Sequence, residues 1–341
     1  TKTSTWTRPV LMNFKKDLPL TSSHWGTYRA KVKDGKVKEL IGWENDKDPS
    51  PIGQGIVDVH NHQTRIDSPM IRKSWMDKGP GSNNSLRGTD PFISISWDEA
   101  EKIVSNELNR VKNDFGNASI FGGSYGWASA GRFHHAQSQL HRFLNCIGGY
   151  TRSKFTYSFA AAEAMVPHIL GSYRAFLDTC TSWESIEDNT ELFICFGGVP
   201  LKNGQIAQGG TGSHKQKEKL IRSANAGIKF VNFSPLKSDL LDEVNGEWLA
   251  LRPNTDVAIM LGLAHTLYKE KLYDDKFIKK YTEGFDTFLP YLKGDIDGIV
   301  KDANWASSIS EIPSETIILL AKEMSSKRTM ISVSWSLTRQ D

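Results

Sequence analysis

Cysteine is scarce. The 341 residues hold only Cys146, Cys180 and Cys195. The odd number and wide spacing argue against a disulfide framework and against a CxxC metal or cluster site. Cys195 lies inside the apolar run LFICF and reads as a small core residue. Long hydrophobic runs are missing too. The longest candidates, AIMLGLA and TIILLA, fall well short of the ~18–20 residues a membrane span requires and fit buried helix faces. Nor does one sign of charge dominate. Lys plus Arg number 42 against 39 Asp plus Glu, a net charge of +3. That lacks the concentrated basic field of a nucleic-acid binder. There is no internal repeat and no low-complexity tract. GxGxxG, GxxxxGK[ST] and HExxH are all absent, which argues against a nicotinamide fingerprint, a P-loop and a zincin helix.

What is present is a globular composition, 38% hydrophobic and 24% charged, far from the disordered regime. Ten tryptophans offer material for lining a deep pocket. The length exceeds what one core serves, so two or more domains are expected. The pattern suggests a β-rich part over 1–70, an α/β part over 71–160 and a dinucleotide-binding-like α/β part over 161–341. The start at Thr1 reads as a processed or trimmed N-terminus. The stop of RTMISVSWSLTRQD directly after a strand pattern reads as a chain that continues.

In the first part, GTYRAKVKDGKVKELIGW has two alternating runs around Asp34-Gly35, a hairpin signal. DKGPGSNNSLRGTDP, 77–91, is a loop by its Gly, Pro, Asn and Ser content. From about residue 96 helices and strands alternate. SWDEAEKIVSNELNRVKNDFG opens with Ser96 and Glu99 at capping-box spacing, carries Ile103, Leu108 and Val111 on one stripe, and stops at Gly116. ASIFGG then reads as a buried strand. ELFICFGG, IKFVNFSP, EWLALRP and RTMISVSW read as strands. KQKEKLIRSANAG, TDVAIMLGLAHTLYKEKL and SETIILLAKEMSSK read as helices. Short apolar strands between amphipathic helices imply parallel sheet in α/β layers, with ligands bound beyond the carboxyl ends of the strands. The turns Gly122–Gly123, Gly197–Gly198, Ser234–Pro235 and Arg252–Pro253 are therefore expected to line one extended site.

The stretch GGSYGWASAGRFHHAQSQLHRFLN holds three histidines. His134 and His135 would point about 100° apart on a helix, and His134 and His141 sit two turns apart. Neither pairing has the i, i+4 spacing of a zinc helix. They read as polar or capping residues, with Phe133, Leu140 and Phe143 as the buried stripe. His60 and His62 alternate as on a strand or loop and read as structural. The turns GGSYG and FGGVPLKNG, the second carrying Lys202, could cradle a pyrophosphate by backbone N–H groups and helix N-termini. In RPNTD, Asp256 either caps its helix or accepts bidentate hydrogen bonds from a guanine edge.

The segments SSHWGTYRA, GSYGWASAGRFH, YSFAAAEAMVPHILGS, TSWESIEDNTEL, VPLKNGQIA and LRPNTDVAIMLGLAHTLY occur in this order. Together they resemble the molybdopterin oxidoreductases of the dimethyl sulfoxide reductase family, in the branch of dimethyl sulfoxide, trimethylamine N-oxide, biotin sulfoxide and methionine sulfoxide reductases. The resemblance runs from about residue 22 to the end. It implies the N-terminal part of a longer protein, without the C-terminal barrel that helps hold a second pterin.

The resemblance implies a cofactor, Mo-bis(molybdopterin guanine dinucleotide), with the metal held by two pterin dithiolenes and one side chain. TYSFAAA matches the stretch carrying the serine ligand, so the metal ligand falls on Ser158, with Thr156 where the family has Asp and Phe159 where it has Thr. An alkoxide is a hard donor suited to such a metal; without the resemblance, Ser158 reads as a helix N-cap. Tyr125 and Trp127 match the aromatic pair beside the metal, within a cofactor-facing turn that includes Gly126, Ala128 and Ser129. Lys202, Asn203, Asn232, Ser234, Asn254 and Asp256 fall where the family contacts one guanine dinucleotide arm. Residues 1–60 hold no Cys, so no iron–sulfur cluster forms there.

The implied reaction is oxygen-atom transfer from a small S-oxide to Mo(IV), releasing the sulfide; two electrons and two protons return the oxygen as water. Retention of the Tyr favours sulfoxide over trimethylamine N-oxide, the alternative substrate. A further alternative is a non-catalytic descendant lacking the metal. The implied partners are the oxide substrate and an external electron donor, cytochrome c-type or quinol-linked, with no nucleic acid and no membrane span. The implied location is the periplasm, with the cytoplasm as alternative.

Overall fold

The computed structural model describes residues 17–60, 62–82, 84–123, 135–156, 158–207 and 210–339. Two compact units divide the chain: 1–154 with 206–213, and 155–205 with 214–341.

The first unit opens with β1 (Leu20–Ser23), β2 (Gly26–Lys33) and β3 (Lys36–Gly42), antiparallel in that order. Asp34 and Gly35 both have positive φ, 53° and 70°, the backbone of a two-residue turn that matches strand twist. The hairpin expected there is present. One face buries Tyr28, Ala30 and Leu40 against Trp25, Val37 and Val57. Val57 comes from α1 (Ile52–Val59), and the Tyr28 hydroxyl donates to the Ser50 carbonyl at 2.9 Å. The excursion 206–213 returns to this sheet. Ala207 N–H donates to the His24 carbonyl at 2.8 Å, and Thr27 Oγ1 donates to the Thr211 carbonyl at 3.1 Å.

Next come β4 (Met70–Arg72), α2 (Lys73–Lys78) and β5 (Phe92–Ser94), with β4 and β5 antiparallel. In α3 (Trp97–Phe115), Ser96 accepts from the Glu99 N–H and Gly116 closes the helix, as the capping pattern requires. The strand expected in ASIFGG is only β6 (Phe121–Gly122). It pairs in parallel with β7 (Thr151–Arg152), beyond α4 (Ala136–Cys146). It is not buried throughout: Ile120 and Gly122 are inside, and Phe121 is 69% exposed. Gly122 is needed where Leu144 and Tyr150 press in, because a Cβ there would overlap both side chains. That contact also corrects the stripe of α4. Leu144 is the buried residue, Leu140 is half-buried, and Phe143 is 48% exposed, rotated about 100° from its neighbour. Phe133 lies outside the described residues.

The second unit begins with α5 (Ala160–Leu170), α6 (Tyr173–Asp178) and α7 (Trp183–Asn189). There follow β8 (Leu192–Phe196), α8 (Leu201–Gly204), α9 (Gln216–Asn225), β9 (Lys229–Phe233) and β10 (Glu247–Leu249). Then come α10 (Asp256–Lys269), α11 (Asp275–Tyr281), α12 (Phe285–Leu292), α13 (Ala303–Ser310), α14 (Ser314–Ser326) and β11 (Thr329–Val333). Among the described residues the sheet order is β10-β9-β8-β11, and every pairing is parallel.

All five residues of β8 are buried, as a strand covered on both faces demands. Alternate residues face opposite layers. Leu192, Ile194, Phe196, Val231 and Phe233 pack with Ile259 and Leu263 of α10, Ala306 of α13 and Ile317 of α14. Phe193, Cys195 and Phe230 pack with Ile186 of α7 and Leu220 of α9. Phe196 and Phe233 stack at 4.9 Å with 6° between planes. Fully burying each such ring stabilises the fold by about 1.5–3 kcal/mol. The result is the three-layer α/β arrangement expected from the alternating pattern.

Candidate cofactor-binding edge and serine loop

The parallel register brings the carboxyl ends of neighbouring strands level. Ser334 N–H donates to the Phe196 carbonyl, Gly197 N–H to the Phe233 carbonyl, both at 2.8 Å, and Ser234 N–H to the Leu249 carbonyl at 3.4 Å. The turns at Gly197–Gly198, Ser234–Pro235 and after Leu249 therefore share one edge. Gly122–Gly123 belongs to the other unit.

Two groups of expected residues lie along that edge. In the first, Lys202 and Asn203 stand on α8, directly after the Gly-Gly turn. Lys202 Nζ lies 3.4 Å from Asp239 Oδ1, while Asp239 Oδ2 accepts from Ser234 Oγ at 2.6 Å. Trp248 Nε1 donates to the Ser234 carbonyl at 2.8 Å and fixes that turn from β10. Asp239 was not legible as part of the site; the Ser234 and Asp239 pair in SPLKSD is the signal that marks it. Asn232 is 1% exposed, and neither Nδ2 nor Oδ1 has a hydrogen-bond partner among the described residues. Alternation puts it on the Phe230 side of β9.

In the second group, Asn254 adopts φ 69° in the turn that leads into α10. The capping alternative for Asp256 does not hold in its simple form. Thr255 occupies the cap position without a side-chain cap bond, its hydroxyl donating to the Arg252 carbonyl at 2.5 Å. Asp256 is the first helical residue and 7% exposed, and burial pushes its pKa up. A buried carboxyl at a helix N-terminus on the ligand edge of a parallel sheet is placed to accept from a polar partner.

The serine loop is separate in sequence. Ser158 is half-buried and one residue short of the cap position, which Phe159 takes without a side-chain cap bond. The simple N-cap reading of Ser158 is thereby replaced. Glu163, in the first turn of α5, instead accepts from the Thr156 N–H at 2.9 Å and folds the loop over the helix start. Phe159 packs against Trp335 at 4.1 Å and stacks on Tyr173 at 5.6 Å. Thr156 Oγ1 and the Tyr173 hydroxyl are buried without hydrogen-bond partners among the described residues. Burial, and then the nearby Glu163 charge, raise the Tyr173 pKa.

Tyr125, Gly126, Trp127, Ala128, Ser129 and His134 lie outside the described residues. His135 caps α4, its Nδ1 accepting from Ser138 N–H at 3.1 Å. His141 bonds the Tyr150 hydroxyl and stacks on its ring. His60 is the turn residue that caps the end of α1; His62 Nδ1 meets Thr64 Oγ1 at 2.8 Å. Among the described residues no group of three or more His, Cys, Asp or Glu side chains is arranged to hold a metal ion. No helix there is long and apolar enough to cross a membrane.

The layers define an α/β protein whose parallel sheet carries a polar edge at its strand ends, the place where open α/β sheets in general bind ligands. The family comparison makes this particular. The Molybdopterin oxidoreductase pattern matches residues 65–341, and the Molybdopterin oxidoreductase N-terminal domain pattern matches 21–59. The chain belongs to the molybdopterin oxidoreductase family, and its sequence falls with the sulfoxide and N-oxide reductase branch.

It is 39% identical to the dimethyl sulfoxide/trimethylamine N-oxide reductase of Rhodobacter capsulatus, over 94% of this chain and 39% of that protein. It is 40% identical to a biotin sulfoxide reductase of Cereibacter sphaeroides, over 86% of this chain and 40% of that protein. It is 36% identical to a trimethylamine-N-oxide reductase of Haemophilus influenzae, over 94% and 39%. The chain thus spans about two fifths of the length of the curated relatives it matches. The fold is similar to that of acetylene hydratase from Pelobacter acetylenicus, with a TM-score of 0.61 at 19% identity, over 94% of this chain and 41% of that one.

Proposed function

We propose that this chain is the cofactor-holding part of a molybdenum-dependent oxidoreductase that reduces a small S-oxide of the dimethyl, methionine or biotin sulfoxide type. Trimethylamine N-oxide is the alternative substrate, favoured by relatives that carry that name. The observation that carries the reading is the polar carboxyl edge of the parallel sheet, where Lys202, Ser234 and buried Asp256 follow neighbouring strands. The cofactor is the bis(molybdopterin guanine dinucleotide) form. When bound, it supplies two-electron oxygen-atom transfer.

The residues present fit that group. Buried polar atoms without partners among the described residues, as at Thr156, Tyr173 and Asn232, each cost about 1–3 kcal/mol and are relieved by a polar ligand. Asp256 accepts from the guanine edge, and Lys202 offers a cation to the phosphates with Asn203, Ser234, Asn232 and Asn254 completing the arm. Ser158 supplies the hard oxygen donor to the metal. Glu163 holds its loop, and Phe159, Tyr173 and Trp335 pack together directly after it. Tyr125 and Trp127 would donate hydrogen bonds to the substrate oxygen, with Gly126, Ala128 and Ser129 beside them in the sequence as further cofactor contacts. Electrons come from an external donor, cytochrome c-type or quinol-linked, without an iron–sulfur relay in this chain. The working compartment is the periplasm.

The test is metal and nucleotide content of the full-length protein, expressed with its maturation machinery. The expected result is about one molybdenum per chain, with GMP released on acid hydrolysis. A folded protein that carries neither would overturn the reading.

A further inference from the structure

We infer that Asp239 is a positioning residue for the nucleotide edge: it orients Ser234 and holds Lys202 in reserve for an anionic ligand. This rests on the reading of that edge as the guanine dinucleotide arm.

Asp239 follows β9 and joins two strand-end turns. Its Oδ2 accepts from Ser234 Oγ at 2.6 Å, and its Oδ1 lies 3.4 Å from Lys202 Nζ. Its backbone carbonyl accepts from Val199 N–H at 2.8 Å, directly after the Gly-Gly turn of β8. The Asp239 side chain is 14% exposed and the Lys202 side chain 67%. The carboxylate is therefore a fixed element and the ammonium a loosely held one.

Ser234 is committed on three sides. Its hydroxyl proton goes to Asp239, its oxygen accepts from Leu236 N–H at 3.2 Å, and its carbonyl accepts from Trp248. Ser234 is fully buried, so its hydroxyl, donating to Asp239 and accepting from Leu236, fixes the turn after β9 and with it the backbone that faces a ligand. Lys202 is the opposite case. Its long, weak contact with Asp239 is readily exchanged for a phosphate oxygen, so part of its charge stays neutralised until the anion arrives.

The experiment is calorimetric titration of guanosine 5′-diphosphate into the full-length chain prepared without its cofactor. Asp239→Ala should weaken binding about tenfold or more, because the loss of the Ser234 turn outweighs the gain from freeing Lys202. Asp239→Asn keeps an acceptor for Ser234 but frees Lys202. It should tighten binding about threefold at low salt, converge with the parent at high salt, and do nothing in a Lys202→Ala background. Should Asp239→Ala fail to fold, the Asp239→Asn comparison decides alone. An Asn effect that is absent, or equal with and without Lys202, overturns the inference while leaving the nucleotide edge intact. No binding of the diphosphate by the parent chain overturns the edge itself, and the inference with it.

Discussion

Gly198 and Asp239 are fitted against one another. Gly198 has φ +73°, and a Cβ placed on it would stand 2.5 Å from the Asp239 carbonyl oxygen. The turn that ends β8 is thus closed onto the turn that follows β9 by the absence of one carbon. Gly198→Ala should lower stability by at least ~1–3 kcal/mol, from the left-handed backbone alone. Urea unfolding of the full-length chain is the check. A midpoint equal to the parent's would show that the two turns separate freely.

Asp256 carries a second consequence. Its folded-state pKa is raised by burial, so the native state holds the proton more tightly than the unfolded chain. Stability is then greatest below the unfolded pKa and declines as pH rises through the folded one. Asp256→Asn removes the buried charge. It should raise the melting temperature of the cofactor-free chain at neutral pH, and that gain should vanish in acid. The same change should weaken guanosine diphosphate binding, because an amide cannot accept at both positions. A variant less stable than the parent at pH 7 would contradict the burial argument.

The pair Glu184–Lys219 clamps α7 to α9 over the sheet. The Lys219 ammonium, as hydrogen-bond donor, lowers the Glu184 carboxyl to about 2, against an ordinary value of 4.5. The sign runs opposite to Asp256. The stabilisation is complete above pH 4.5 and is lost as pH falls toward 2. Lys219→Met should be less stable than the parent at neutral pH, with the gap closing over that acid range. A gap that stays constant would place the effect in packing of the Lys219 stem.

On the proposed reading, Tyr125 carries the choice of oxide. In Tyr125→Phe, turnover of dimethyl sulfoxide should fall more than turnover of trimethylamine N-oxide. Losing one hydrogen-bond donor to a departing oxygen costs on the order of 10²–10³ in kcat. Steady-state assays with both substrates on the full-length enzyme decide it. Equal losses would sever Tyr125 from substrate choice.

Much of the architecture could be read before any coordinates. The five-residue apolar run of β8 required cover on both faces, and Asp34-Gly35 required a tight turn. Ser96 with Glu99 marked a helix start. Each is a local rule in which backbone preference and side-chain pattern agree. The errors came where a neighbour distant in sequence decided the outcome. Leu144 displaced Phe143 as the buried residue of α4 because it fits into the gap at Gly122. Phe159 took the cap position expected of Ser158 while stacked on Tyr173 and packed against Trp335, the latter more than 170 residues further on.

The candidate site divides in the same way. Its residue types, the strand-end turns and the family motifs belong to the linear chain, since each rests on a short stretch and its order. The Asp239 bridge between Ser234 and Lys202, the burial of Asp256, and the partnerless amide of Asn232 do not. They arise when parallel strands far apart in sequence come into register and exclude water from their shared edge. Desolvation and hydrogen-bond geometry are properties of neighbours in space, and no spacing along the chain records them.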